Sequence, residues 1–352
     1  MKGQSLRILI DILHPAHVHL FRNFIVEMRA KGHSVFITSR QKDVTESLLE
    51  KYHLQHTTLS AIGNKKSALF TEFGIRTWRL FRYIREMKPD LLMGVMGVSI
   101  APLGRLLGIP SLVFYGTESA KLTNGIVYRA CTRYVTPAGY RIEMGKKHIR
   151  YNAFPEQAYL HPNRFNANPD VLKPLGLDEN QTFTILRFVG WGASHDFGHT
   201  GLSLAFKRKA LEAFQKFGTV FISSEKPLPE DLEAFRLRIQ PDHLHHILHF
   251  ATLLYGESAT LASEAAMLGT SGIYLDNMGR GFTDQLESDF GLVHNFTESE
   301  KDQQASIQRG VDLLADPETK TKALQKAKSL HESTEDLTAY MIRLAEKYGK
   351  RP

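Results

Sequence analysis

"LLYGESATLASEAAMLGTSGIYLD" (residues 253–276) runs apolar, then small and polar, then helix-forming, then apolar again. Strand, tight turn, helix, strand is the order a parallel sheet imposes on its chain. The turn Gly256-Glu257-Ser258-Ala259-Thr260 carries the interest. Ser258 or Thr260 can cap the helix that follows. The amides of Ser258 to Thr260 would then point out of the sheet's carboxyl edge with the positive end of the helix dipole behind them, an arrangement that attracts phosphate. Glu264, four residues past Thr260, shares its helix face, where a carboxylate can accept hydrogen bonds from a ribose diol. The same residues also fit a plain capped helix with a solvated glutamate. The flanking sequence has to separate the two.

Outward from this stretch the same grammar repeats. "LRILIDIL" (6–13) is a near-continuous apolar run suited to a strand buried on both faces, and "HLFRNFIVEMRAKG" (19–32) has helical spacing with Gly32 at its close. "SVFITS" (34–39), "DLLMGVM" (90–96) and "SLVFYG" (111–116) continue the series. The alternation weakens over the proline-rich residues 151–182, read as an interdomain connection. It resumes with "FTILRFVG" (183–190), "TVFISS" (219–224), "ATLLYG" (251–256) and "SGIYLD" (271–276), with helices near 203–216, 229–239 and 260–268. Beyond about residue 300 the chain is charged, amphipathic and expected to be helical throughout.

This pattern implies two doubly wound parallel-sheet domains. Their expected limits are 1–165 and 166–325, with a terminal helix over 326–352 that crosses back to the first. Ligands in such folds bind outside the carboxyl ends of the strands, here in a cleft between the domains.

Length and composition agree. A chain of 352 residues with 42% hydrophobic and 23% charged side chains exceeds one ordinary core. Its single cysteine excludes an internal disulfide and a multi-cysteine metal site, and fits a reducing compartment. The first apolar run is too short for a signal peptide, so a cytoplasmic location is expected. The net charge of +7 favours acidic partners such as nucleotides or phospholipid surfaces. With no basic block or zinc-knuckle spacing, nucleic acid is not an expected partner.

Other stretches offer chemistry at strand ends. In "GRGFTDQLESDFGLV" (279–293), Asp284 and Gln285 open a helix after the next strand and could hold sugar hydroxyls. "GWGASHDFGHTG" (190–201) places His195 and Asp196 after a buried strand, and Ser223 and Ser224 close its neighbour. His245 and His246 precede the nucleotide helix, where His246 could stack on a base or simply pack. In "HPAHVH" (14–19), His17 or His14 could serve as general base on an acceptor hydroxyl, with Glu118 as competitor. No carboxylate pair completes a metal set there, and no Asp-x-Asp occurs, so no metal and no separate cofactor are expected. In "IRTWRLFRYIREMK" (75–88) arginines wrap around a helix with Leu80, Ile84 and Met87 as its seam. It reads as a solvated basic helix or a contact to anionic lipid.

The strand, small-residue turn and "E-A-x-x-x-G" helix (Glu264 to Gly269), with "D-Q" one strand later, resemble the donor half of GT-B glycosyltransferases and the related sugar-nucleotide 2-epimerases. That resemblance implies helix-start amides of Ser258, Ala259 and Thr260 on the diphosphate, Glu264 on the ribose, and Asp284 and Gln285 on the sugar. Along most of the chain, "DILHPAHVHLF", "LRFVGWGASHDFGHTGL", "SSEKPLP" and "GESATLASEAAMLGT" are similar to the group termed domain of unknown function 354. Its members are expected to be GT-B-like and tied to surface-polysaccharide synthesis. Where that group has an acidic residue before "T-E", this chain has Gly116-Thr117-Glu118.

The expectation is therefore a GT-B-like, metal-independent glycosyltransferase. It would move sugar from a nucleotide sugar, UDP-linked by preference, to a glycan or lipid-linked acceptor. A 2-epimerase and a non-catalytic sugar-nucleotide-binding scaffold are the rivals.

Overall fold

A computed structural model describes residues 5–349 except 43, 62–65, 115–119, 190–200 and 225, and without the side chains of 66–70 and 121. The chain divides into two compact units, Met1–Arg164 with Glu335–Pro352, and Phe165–Thr334.

The first unit runs β1 (Arg7–Ile12), α1 (Pro15–Ala30), β2 (Ser34–Gln41), α2 (Thr45–Lys51), β3 (Thr57–Ala61), α3 (Lys66–Met87), β4 (Leu91–Val95), α4 (Ile100–Leu107), β5 (Ser111–Phe114), α5 (Lys121–Ala130), β6 (Arg133–Pro137), β7 (His148–Tyr151) and α6 (Gln157–Leu160). The strands form one parallel sheet in the order β3-β2-β1-β4-β5-β6-β7. Central β1 is buried at five consecutive residues, which is why its sequence is apolar apart from Asp11 rather than alternating. One face of the sheet, through Leu9, Leu92 and Val113, shares a core with Leu80 and Ile84 of α3, Ile100, Ala101 and Leu103 of α4, and Val127 of α5. These three helices therefore lie side by side on that face.

The second unit contains a 3-10 turn (Pro169–Leu175), β8 (Phe183–Phe188), α7 (Leu204–Phe214), β9 (Thr219–Ser224), α8 (Glu230–Glu233), α9 (Leu244–Phe250), β10 (Leu253–Gly256), α10 (Ala259–Met267), β11 (Ser271–Leu275), α11 (Gly281–Ser288), β12 (Val293–Phe296), α12 (Glu300–Ala315) and α13 (Thr319–Ser333). Its parallel sheet has the order β12-β11-β10-β8-β9. Chain direction across the sheet reverses between β8 and β10, and a crevice at their carboxyl ends follows from that topology.

The final helix, α14 (Leu337–Tyr348), belongs to the first unit. Leu337, Met341 and Ala345 are fully buried, Thr338 Oγ1 donates to Ala158 O at 2.8 Å, and Arg164 grips Asp336 through Nε and Nη2 at 2.9 and 2.7 Å. The return begins at Glu335, later than the expected 326, because α13 stays with the second unit.

Two local expectations need correcting. The helix near 229–239 is a single turn, after which Arg236 bridges to Ile222 of β9. The helix at 75–88 buries Leu80 and Ile84 as read, but Arg76 is not solvated. It forms a buried ion pair with Asp11 of β1, whose Oδ1 also accepts from Thr38 Oγ1 at 2.7 Å. A charge so placed is tolerable only because it is paired.

Candidate functional site

At the carboxyl edge of the second sheet, Gly256 ends β10 opposite Arg187 of β8. A Cβ at Gly256 would stand 2.0 Å from Arg187 O, and the backbone there has φ +156, so only glycine fits. The chain then turns into α10. Ser258, extended at φ −106, is the cap, and its Oγ accepts from Leu261 N–H at 3.3 Å. Thr260 is the exposed second helical residue rather than the cap. Ala259 and Thr260 open the helix, and their N–H groups have no carbonyl one turn back to bond.

Glu257 is not presented to a ligand. Its side chain is 0% exposed and the carboxylate accepts from Val189 N–H at 2.9 Å and Leu202 N–H at 2.6 Å, with Lys207 Nζ 3.6 Å away. One buried carboxylate thus fastens both flanks of the segment that holds His195 and Asp196, two residues outside the described set. Glu298 adds a third tie, accepting from Gly201 N–H at 3.0 Å. The expected ligand role of Glu257 becomes an internal one.

Glu264 is buried on α10, and His245 Nε2 of α9 lies 3.0 Å from its Oε1. It is not a solvated glutamate. His246 packs its ring 4.8 Å from Phe165 and accepts from Asn168 N–H at 3.0 Å, so it fixes the start of the unit instead of stacking on a base. Ser224 Oγ closes its own turn, donating to Lys226 O at 2.9 Å.

After β11, Asp276 Oδ1 accepts from Met278 and Gly279 N–H at 2.6 and 3.2 Å, and Tyr274 Oη donates to its Oδ2 at 2.8 Å. Burial and this carboxylate push the Tyr274 phenol far above its ordinary range. The turn leads into α11, where Asp284 is exposed and Gln285 half-buried in the first turns.

Arg187 was missed by the sequence reading. It is half-buried at the end of β8, beside the α10 start, with Nη1 donating to Ser223 Oγ at 2.9 Å. An arginine inside a largely apolar strand is the signal that could have found it. The far end of α10 is closed by three basic side chains. His331 Nε2 is 2.9 Å from Met267 O, His249 Nδ1 is 3.0 Å from Leu268 O, and Lys320 Nζ donates to Gly269 O and Thr270 Oγ1, each at 2.8 Å. These donors occupy the carbonyls that the end of a helix leaves without partners. Burial lowers Lys320 to about 7.

In the first unit, His14 caps α1 with Nδ1 accepting from Ala16 N–H at 3.2 Å. His17 is buried, its Nδ1 accepts from Leu13 N–H at 3.3 Å, and burial with neighbouring His14 and Lys42 lowers it to about 3. That bond leaves the proton of the neutral ring on Nε2, so His17 can donate but is too weak a base to take a proton from a hydroxyl. Its expected role as base is corrected. Glu118 lies outside the described residues.

Comparison with solved structures places the fold. Spinosyn forosaminyltransferase SpnP matches with a TM-score of 0.67 at 14% identity, over 99% of this chain and 100% of that one. A putative UDP-N-acetylglucosamine 2-epimerase from Listeria monocytogenes matches with a TM-score of 0.68 at 12% identity, over 97% and 96%. Spinosyn rhamnosyltransferase SpnG complexed with thymidine diphosphate gives 0.63 at 14% identity, over 96% and 100%. No curated protein matches the sequence. The architecture is GT-B, two Rossmann-like α/β units, as the motifs implied. Residues 6–278 match the family described as protein of unknown function DUF354, and the chain belongs to that family.

Proposed function

We propose that the protein is a metal-independent glycosyltransferase that takes sugar from a nucleotide sugar, UDP-linked by preference, and delivers it to a glycan or lipid-linked acceptor of surface polysaccharide. The observation that carries this reading is the start of α10. It sits at the strand-order reversal, is capped by Ser258, has Arg187 of the neighbouring strand opposite Gly256, and has the carbonyls of its far end hydrogen-bonded. Such a helix end, with a cation beside it, can take up the charge that grows on a departing diphosphate.

Glu264 would meet the ribose from its buried seat, and Asp284 and Gln285 the sugar. His195 and Asp196 keep their proposed place near the donor through the flanks that Glu257 holds. Glu118, four residues after β5 in the chain, becomes the preferred base because the His17 ring is so weakly basic. A lipid-linked acceptor would also bring α3 to the cytoplasmic face of a membrane.

The test is a panel of nucleotide sugars scored by thermal stabilisation, since a ligand that binds only the folded state raises its apparent stability. Stabilisation by UDP- or TDP-sugars that disappears in Ser258→Pro is expected. A Ser258→Pro protein that folds and is stabilised as before overturns the donor site. The likeness to the 2-epimerase supports a second reading. Donor incubated alone would then yield a new free sugar nucleotide, whereas a transferase needs an acceptor.

A further inference from the structure

Three helices on one face of the first sheet turn apolar residues to solvent where amphipathic helices normally show charge. On α3, Ile75 and Trp78 are 47% and 56% exposed. They share a stripe with Arg82 and Arg85, since positions 75, 78, 82 and 85 fall on one side of a helix. Arg82 stacks on Trp78, 5.0 Å from the ring centroid. On α4, Leu106 is 72% exposed beside exposed Arg105. On α5, Leu122 and Ile126 are 80% and 51% exposed, and Arg129 continues their stripe one turn on. The inward sides of the same helices share one core, so these outward stripes are neighbours.

The charge on this face is one-sided. Among the described residues α4 and α5 carry no carboxylate, and α3 sets one exposed acid, Glu86, against its exposed cations Arg79, Arg82 and Arg85, its Glu72 being turned to Arg40. Where α4 and α5 end, a surface cavity of about 560 Å³ is lined by Arg105, Arg129, Arg133 and Lys147 and by no described carboxylate. Lys147 and Arg105 also close the α5 terminus there, donating to Arg129 O at 3.0 and 3.1 Å.

From this placement we infer that the outer face of α3, α4 and α5 docks on a bilayer containing anionic phospholipid. Trp78, Leu106, Leu122 and Ile126 would enter the headgroup layer and the arginines would meet lipid phosphates. Apolar anchors ringed by arginine suit a negatively charged interface better than a protein partner, because helix stripes separated by cations bury little continuous apolar area. The surface is wider than α3 alone. It extends the acceptor side of the proposed function, but its residues belong to the first unit and α10 to the second, so the two can fail separately.

Co-sedimentation of the full chain with vesicles tests it. Vesicles holding about one quarter phosphatidylglycerol in phosphatidylcholine should bind the protein, and pure phosphatidylcholine should not. Each of Arg82→Glu and Arg105→Glu should weaken binding about fivefold or more, with the loss growing as salt falls. Leu122→Glu with Ile126→Glu should abolish binding while thermal stabilisation by nucleotide sugar is unchanged, which shows the fold intact. Wild-type protein left in the supernatant with anionic vesicles overturns the inference. So does binding unaffected by both sets of variants. So does vesicle-free self-association that the same leucine and isoleucine changes abolish, because the face would then belong to a second copy.

Discussion

His245 Nε2 lies 3.0 Å from Glu264 Oε1, and both side chains are almost wholly buried between α9 and α10. Helix α10 is thereby tied to α9, the helix that precedes β10. Losing either partner strands a buried polar group, which costs about 1–3 kcal/mol. Glu264→Ala should lower stability by that amount and also weaken nucleotide binding. Glu264→Gln retains an acceptor for His245, so it should keep most of the stability while changing affinity. Urea unfolding and nucleotide titration of the two variants separate structure from recognition, and equal affinity in all three proteins would remove Glu264 from the site.

Glu257 offers a harsher case. Its carboxylate serves Val189, Leu202 and Lys207 at once. Glu257→Gln keeps one acceptor oxygen and should cost about 2 kcal/mol, while Glu257→Ala should cost about 3 kcal/mol or more. Limited proteolysis between residues 189 and 202 should accelerate in the same order. Cleavage rates equal to wild type would show that the flanks are held by something else.

Acid should unfold this protein early. Burial lowers His17 to about 3 and His249 and His294 to about 4, against an ordinary value of 6.5. Above 6.5 neither state is protonated at these rings, and they leave stability unchanged. Below it the unfolded chain takes protons that the native rings refuse, so stability falls as pH drops from 6.5 towards 4. The loss is on the order of a few kcal/mol in sum. Unfolding midpoints measured from about pH 7 to pH 5 should decline, and the decline should shrink in His249→Gln. A flat profile would contradict the burial of these rings.

Lys320 acts in the opposite window. Its folded value near 7 lies below the ordinary 10.5, so between these limits the unfolded state holds the extra proton and stability rises with pH. Lys320→Met should remove that slope. It should also cost about 1–3 kcal/mol near neutrality, because Gly269 O and Thr270 Oγ1 lose their donor. Parallel pH slopes in variant and wild type would place the titration elsewhere.

How much of this was legible beforehand depended on whether a feature was local. The central strands announced themselves because burial on both faces demands largely apolar runs, as in β1, interrupted only at Asp11, and β10. The short strands β3, β6, β7 and β12 did not, since four or five residues with polar members carry no period of their own. The α10 start was readable because caps, dipoles and glycine turns are short-range devices. The fates of Glu257 and Arg76 were not, because each is decided by partners far away in the chain, Leu202 at 55 residues and Asp11 at 65. His17 misled for another reason. Its position in a turn suggested access, whereas its ring is covered by the packing around α1.

The return of α14 has a consequence for how the molecule is made. A ribosome synthesises Phe165–Thr334 in full before it reaches the helix that packs on α1 and α6 of the unit begun earlier. The earlier-born unit therefore finishes second, with the sites for Leu337, Met341 and Ala345 standing open to chaperones for the time it takes to translate the later-born one.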